Sequence, residues 1–189
     1  MELKQLNEFK FVHDYTTYVI SHVAMRLLIS EYTGLYPKEI CYEYGSNGKP
    51  SISYQSMKFS LSHTFQKALI GFYNQDIGGD IEYKKELPDY QEMAKLIFTE
   101  EERLYIHKSD SIDRFYELWT KKEAIIKGIG TGLNIEVNRL LIGAKNQFID
   151  GNGQVWQIRL VKSDENYIGH IAYKSYFTTN KLNYTIWNF

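Results

Sequence analysis

The sequence predicts an α+β fold of two lobes with similar make-up, and three observations carry that reading. Apolar residues recur at helical spacing near the start, short β-rich runs punctuated by turns fill the stretch from Ile40 to Glu82, and helical then strand-like patterns follow in the same order. With 189 residues, 43% of them hydrophobic, the chain can bury one full core or two small fused lobes, and is too short for several independent domains.

The elements follow in order. Val19, Ile20, Val23, Ala24, Leu27 and Leu28 repeat at helical spacing, with Asp14 or a nearby threonine as N-cap and Gly34 as the stop, so a helix is expected over about residues 15 to 32. Ile40 to Tyr44, Phe59 to Ser62, Ala68 to Tyr73 and Ile77 to Glu82 read as antiparallel strands, with Gly45-Ser-Asn-Gly-Lys-Pro50 as a turn. The region from Glu86 to Tyr90, with Pro88, marks the expected junction and divides lobe 1–86 from lobe 87–189. Thr99-Glu-Glu-Glu102 has capping-box spacing, and Arg114 to Lys127 forms a longer helix ended by the Gly128 and Gly130 pair. Gly151-Asn-Gly153 then sits between apolar strands, followed by Gln154 to Val161, Tyr167 to Tyr173 and Leu182 to Trp187. The sequence holds no residue-level repeat, low-complexity segment or long charge block.

Composition excludes several function classes. Twenty-two basic and 23 acidic side chains give a net charge of −1, which provides no global footprint for nucleic acid or an anionic membrane. Cys41 is the one cysteine, so an intramolecular disulfide framework and a cysteine zinc site are both excluded, and a reducing, cytoplasmic compartment is expected. Met1 to Lys10 lacks an apolar signal core, and no stretch reaches the length of uncharged apolar residues that spans a bilayer. A soluble protein that is not exported is expected.

The chemistry concentrates in two segments. In Asp76-Ile-Gly-Gly-Asp80-Ile-Glu82, strand geometry projects Asp80 and Glu82 to one face and Ile81 to the core, and the glycines before them permit a close approach by backbone or ligand. Alone, such a pair reads as a solvated strand edge. In Trp119-Thr-Lys-Lys122-Glu123-Ala-Ile-Ile-Lys127, residues 119, 123 and 127 share a helix face, with Lys122 adjacent. Alone, this reads as a surface ion pair. Together, three carboxylates and two lysines suit a hard cation such as Mg²⁺ and a phosphate-bearing substrate. Phe59-Ser-Leu-Ser-His63 adds Ser60, Ser62 and His63 at a strand end. His13, His22, His107 and His170 show no ligand spacing, so a histidine metal centre is not expected. The 16 tyrosines read as packing, because no basic residues are interleaved to make a stacking platform for nucleic acid.

The succession Gly48-Lys-Pro50, Phe59-Ser-Leu-Ser-His63, Ile77-Gly-Gly-Asp80-Ile-Glu82, Phe98-Thr-Glu-Glu-Glu102 and Phe115-Tyr-Glu-Leu-Trp119-Thr-Lys-Lys-Glu123-Ala-Ile-Ile-Lys127-Gly resembles the 4′-phosphopantetheinyl transferase superfamily, of the surfactin-synthetase-activating type, over roughly residues 11 to 135. Each motif is weak alone, and five in register are specific.

The resemblance implies that the phosphopantetheine arm of coenzyme A is moved onto a serine of an apo acyl or peptidyl carrier protein, releasing adenosine 3′,5′-bisphosphate, with Mg²⁺ required. By position Asp80, Glu82 and Glu123 look like the metal ligands. Glu123 also looks like the base that activates the serine, directly or through water. Lys122 and Lys127 match lysines that contact the pyrophosphate or protonate the leaving group, His63 and Ser62 match coenzyme A phosphate contacts, and Lys49 and Pro50 match the turn beside the adenine. The implied fold is a monomeric pseudo-dimer with the active site in the cleft between its lobes.

Three features depart from the family pattern. Gly79 replaces a β-branched residue, Thr17 stands where an arginine is common, and the basic N-terminal stretch is reduced to Lys10 and Arg26. A non-catalytic coenzyme A or carrier-binding module and a Mg²⁺-dependent pyrophosphohydrolase are the competing classes. The intact set of Asp80, Glu82, Glu123 and Lys127 opposes the first, and carrier-dependent turnover separates the second.

Overall fold

Alternating hydroxyls along one strand join the two larger sheets of this α+β chain. A computed structural model describes residues 12–53, 56–108, 112–132, 136–143, 145–175 and 183–188. Among them, helix α1 (Val12–Thr33) leads to a hairpin of β1 (Tyr42–Tyr44) and β2 (Pro50–Ile52). Next come β3 (Lys58–Thr64), β4 (Lys67–Tyr73) and β5 (Ile77–Tyr83), then helices α2 (Tyr90–Ile97), α3 (Glu100–His107) and α4 (Ile112–Ile129). Strands β6 (Gln147–Ile149), β7 (Val155–Val161), β8 (Tyr167–Lys174) and β9 (Asn183–Asn188) complete the order. The strands pair antiparallel in a β3-β4-β9 sheet and a β5-β8-β7-β6 sheet.

The periodicities place the cores. Ala24, Met25 and Ile29 on α1 pack with Phe59, Ile70 and Phe72, whereas Ala124, Ile125 and Ile126 on α4 pack with Trp156, Ile158 and Ala172. Leu69, Ile77, Ile81 and Ile171 fill a cluster with members from both sheets. Phe98, Ile106 and Phe115 fill the space where α2 and α3 meet α4.

Strand β5 ends its sheet, with β8 as its backbone partner, and would present unpaired N–H groups on its other side. Ser60, Ser62 and Thr64 on β3 accept those hydrogens instead. Their hydroxyl oxygens take the amides of Gly79 at 2.9 Å, Ile81 at 3.4 Å and Tyr83 at 3.2 Å. The period-two spacing on both strands makes this seam.

Several boundaries differ from expectation. The described part of helix α1 runs from Val12, so Asp14 lies inside it, while Gly34 does end it, at φ +74° with its amide donating to Ser30. Helix α4 runs through Gly128 to Ile129, and Gly130, at φ +79° with its amide donating to Ile126, is the residue that stops it. Helix α2 starts where a junction was expected, and its short apolar pattern carries no cap signal: Asp89 makes no side-chain cap bond. Thr99 does form its capping box with Glu102.

Candidate active site

Gly78 and Gly128 bring the acidic strand against the helix that carries Glu123 and Lys127. A Cβ at Gly78 would lie 2.1 Å from the Ala124 carbonyl oxygen and 2.2 Å from the Gly128 nitrogen, and one at Gly128 would lie 2.5 Å from the Trp156 ring. No side chain larger than hydrogen fits either place without moving the helix. At Gly79 a Cβ would sit 3.2 Å from Leu69 Cδ2, a contact that a small shift of that side chain relieves.

Across this contact Lys127 donates to Asp80 Oδ1 at 2.6 Å and to the Ser62 hydroxyl at 3.0 Å, and Ser62 donates to the same Asp80 oxygen at 2.9 Å. Asp80 is 2% exposed. Its Oδ2, and Oε1 of Glu123, are buried and have no hydrogen-bond partner among the described residues. Burial, and then the Asp80 charge, push the Glu82 carboxyl up to about 7, against Lys127 and a hydrogen bond from Trp119. Burial and Asp80 likewise raise Glu123, which Lys127 partly offsets. Burial alone would lower the Lys127 ammonium, but Asp80, Glu123 and Glu82 outweigh it and hold it above its ordinary value.

Crowded carboxylates with two orphaned oxygens are the donor chemistry of a hard divalent cation. Among the described residues they do not form a ready three-ligand cage, and the Lys127 ammonium stands against Asp80. A cation that keeps water and takes substrate phosphate as ligand fits such an open set.

Glu123 and Lys127 also face a cleft of about 460 Å³. Its other walls include Tyr18, His22 and Met25 on α1, Tyr42 and Tyr44 on β1, Lys49 and Pro50 after the turn, and Leu61 and His63 on β3. Lys49 turns its ammonium to the carbonyls of Gly128 and Ile77, so it clamps the hairpin to the C-terminal end of α4, where a cation opposes the helix dipole. Burial pulls Lys49 down to about 8, with Asp76 opposing.

A profile of the family described as the 4′-phosphopantetheinyl transferase superfamily matches residues 76–174, the span holding Asp80, Glu82, Glu123 and Lys127. The chain belongs to this superfamily. It is similar to the 4′-phosphopantetheinyl transferase HetI of Nostoc, 25% identical over 90% of this chain and 76% of that one. A Synechocystis protein given the same activity provisionally is 26% identical over 96% of this chain and 80% of its own. Sfp of Bacillus subtilis, another 4′-phosphopantetheinyl transferase, is 33% identical over 64% of this chain, and the match spans about half of Sfp, at 54%.

In this transferase two of the expected site residues are engaged elsewhere. Lys122 is fully buried and points away from the acidic cluster, donating to Glu102 Oε2 at 2.7 Å and to the carbonyl of Val137 at 3.0 Å, with Phe98 5.2 Å away. Burial lowers its pKa, and the bond to Glu102 opposes that shift. In this structure Lys122 ties α4 to α3. Ser62, expected against coenzyme A, instead holds Asp80 and Lys127. Arg26 donates to the carbonyls of Pro37 and Ile40 and lies 4.8 Å over the Tyr42 ring, and Lys10 lies outside the described residues. His22 also lines the cleft, and its distance from the other histidines gives no sign of that. The i, i+4, i+7 spacing of Tyr18, His22 and Met25 is the signal that placed it on the cleft wall.

Two outcomes follow from these buried groups. Lys122→Met leaves the partly buried Glu102 carboxylate with the Thr99 amide but without its cation and should cost about 3 kcal/mol, which Lys122→Met/Glu102→Gln partly restores in urea unfolding. A folded Lys122→Met protein whose only defect is weaker coenzyme A binding would return Lys122 to the site. His170 is 2% exposed with Nδ1 2.8 Å from the Thr120 hydroxyl, and burial, then Lys121, pull it from 6.5 down to about 3. The unfolded chain takes up this proton below about pH 6.5 and the folded one does not, so stability falls as pH drops towards 3. From pH 7 to pH 5 the wild type should lose about 2 kcal/mol more than His170→Gln. Comparing the two proteins cancels the opposite contribution of Glu82, whose raised pKa removes stability as pH climbs from 4.5 to 7. An unchanged difference between them at the two pH values would refute the neutral buried imidazole.

Proposed function

We propose that this transferase moves the 4′-phosphopantetheine of coenzyme A onto a serine of an apo acyl or peptidyl carrier protein, releasing adenosine 3′,5′-bisphosphate. The observation that carries this reading is the pair of buried, unpartnered carboxylate oxygens on Asp80 and Glu123 beside Lys127, at the edge of the cleft. Asp80, Glu82 and Glu123 would hold Mg²⁺, which supplies charge neutralisation of the pyrophosphate when bound. Glu123 accepts the serine proton, directly or through one water. The serine oxygen forms the new bond to phosphorus as the bond to the bisphosphate oxygen breaks. Lys127 offers its ammonium to the charge that develops on that leaving group, a role suited to a compact cation already held by Asp80 and Ser62. Pro50 and the stem of Lys49 flank the base of the nucleotide, and His63 faces its phosphate.

The reading includes a monomer in the cytoplasm, with no nucleic acid or membrane partner, made of two related lobes at 1–86 and 87–189. Strand pairings cross that division: β9 joins β4, and β5 joins β8. Among the described residues no helix is long and apolar enough to cross a membrane.

Intact-mass spectrometry of an apo carrier protein incubated with the transferase, coenzyme A and Mg²⁺ tests the reaction. The expected result is a gain of one phosphopantetheine that EDTA abolishes. Consumption of coenzyme A without a carrier would replace transfer with hydrolysis.

A further inference from the structure

We propose that Lys127 makes cation binding conditional on substrate: its ammonium and a divalent cation share the one carboxylate of Asp80, and the pyrophosphate of coenzyme A is the anion that lets both charges stay. This rests on the proposed transfer reaction and adds to it an energetic coupling between metal and substrate.

Asp80 divides its two oxygens. Oδ1 takes the Lys127 ammonium at 2.6 Å and the Ser62 hydroxyl at 2.9 Å, and the ammonium also reaches Ser62 at 3.0 Å, which closes a triangle of hydrogen bonds. Oδ2 is buried and has no hydrogen-bond partner among the described residues. A hard cation takes carboxylate oxygen, so it would meet Asp80 at Oδ2, with the ammonium already on the other oxygen of the same group. Lys127 is held in that place. Its helix rests on β5 through Gly78, where not even a Cβ fits, and its amine is tied to both Asp80 and Ser62. Asp80, Glu123 and Glu82 outweigh burial and keep it charged.

Two like charges on one carboxylate repel strongly where water is scarce. The neighbouring groups do not remove that repulsion. Glu123 Oε1, buried without a partner among the described residues, attracts the cation, but Glu123 draws the ammonium as well. Glu82 also draws it, while His63 on β3 and Lys49 after the hairpin turn bring no negative charge. An anion in contact with both cations does remove it. The pyrophosphate of coenzyme A has to come to Glu123 and Lys127 to react, and it has oxygens enough for the ammonium and the metal together. Conversely, three carboxylates against one ammonium leave the cluster negative, so the pyrophosphate is repelled until the divalent cation joins it. Each ligand therefore raises the affinity for the other, by the same factor. Lys127 sets the size of that factor, because its charge weakens the hold on the cation alone and strengthens the hold on the substrate.

The test is calorimetric titration of Mn²⁺, a hard divalent cation in place of Mg²⁺, into wild type, Lys127→Met and Lys127→Arg. Each protein is titrated alone and with saturating coenzyme A, without a carrier protein and with correction for the Mn²⁺ that free coenzyme A binds. Coenzyme A should tighten Mn²⁺ binding by the wild type about tenfold or more. Lys127→Met should bind Mn²⁺ alone about tenfold tighter than the wild type and gain less from coenzyme A. Lys127→Arg, which keeps the charge, should follow the wild type. A lysine kept only for structure would instead give weaker Mn²⁺ binding in both variants. The wild-type comparison stands even where Lys127→Met is destabilised, and thermal unfolding then adds a second reading: Mn²⁺ should raise the Tm of Lys127→Met by more than it raises that of the wild type. Equal Mn²⁺ affinity of the wild type with and without coenzyme A, or a Lys127→Met protein that binds Mn²⁺ alone no tighter than the wild type, overturns the coupling while leaving the transfer reaction standing. Absence of Mn²⁺ binding by the wild type even with coenzyme A overturns the metal-dependent reaction as well.

Discussion

Glu123→Ala should abolish carrier modification, with turnover falling about a thousandfold or more, while the protein stays folded. Three features set that size. The Glu123 carboxylate reaches the cleft beside Lys127, its Oε1 is buried without a partner among the described residues, and its pKa is raised by burial and by Asp80. Removing it deletes the proposed proton acceptor and one of the oxygens proposed to hold the metal, and it also relieves a crowded negative cluster. Stability should therefore hold or rise, a pattern typical of a residue kept for chemistry and not for packing. Glu123→Gln separates the two losses, because it keeps the shape and one oxygen but cannot take the proton. Asp80→Ala should lose nearly as much activity and should also lose stability, since Lys127 and Ser62 would be left without their shared acceptor. Time courses by intact mass, with urea unfolding in parallel, read both quantities. Near-wild-type turnover in Glu123→Ala would remove that residue from the reaction.

Gly78→Ala, a single added methyl, should be the most damaging small substitution in the chain. Its carbon would overlap the Ala124 carbonyl and the Gly128 amide, both of which are helix backbone and cannot rotate aside. Helix α4 must lift from β5, opening the core around Ile81, Ile125 and Trp156 and costing about 3 kcal/mol or more. For a chain of this size that corresponds to a fall in Tm of about 10 °C. The lifted helix also carries Glu123 and Lys127 away from Asp80, so activity per folded molecule should fall with stability. Gly151→Ala is the control: it sits in a turn with open space around its Cβ and should change stability by less than about 0.5 kcal/mol. Equal melting curves for the two variants would show that α4 does not rest on Gly78.

The parts of this design that were legible in the sequence are those governed by local period. Alternation put Asp80 and Glu82 on one face with Ile81, at 1% exposure, inward. Capping chemistry found Thr99, and the glycine spacing anticipated a close approach that Gly78 makes to backbone. Longer-range partners were not legible. Helical spacing set Lys122 next to the face of Glu123, but what covers it comes from Glu102 on another helix and from Val137 after α4. Ser62 followed the same rule: its position at a strand end was clear, whereas its role depends on β5 lying alongside without backbone pairing. Lys49 reads as an exposed turn residue until the end of α4 is brought to it. Pairing between distant segments is decided by packing, which no short window of sequence contains.

The row of Ser60, Ser62 and Thr64 gives the molecule an adjustable joint. In a continuous ladder every bond is main chain to main chain, and only proline removes a single rung. Here each rung hangs on a single side-chain oxygen, so changing one residue removes one rung and leaves both neighbouring ladders whole. Such a joint tolerates a change of twist between the β3-β4-β9 and β5-β8-β7-β6 sheets that main-chain pairing would resist. Because Ser62 is at once a rung and the holder of Asp80 and Lys127, one hydroxyl links the seam between the sheets to the spacing of the reactive groups. A slip at the joint would be felt first as a misplaced charge.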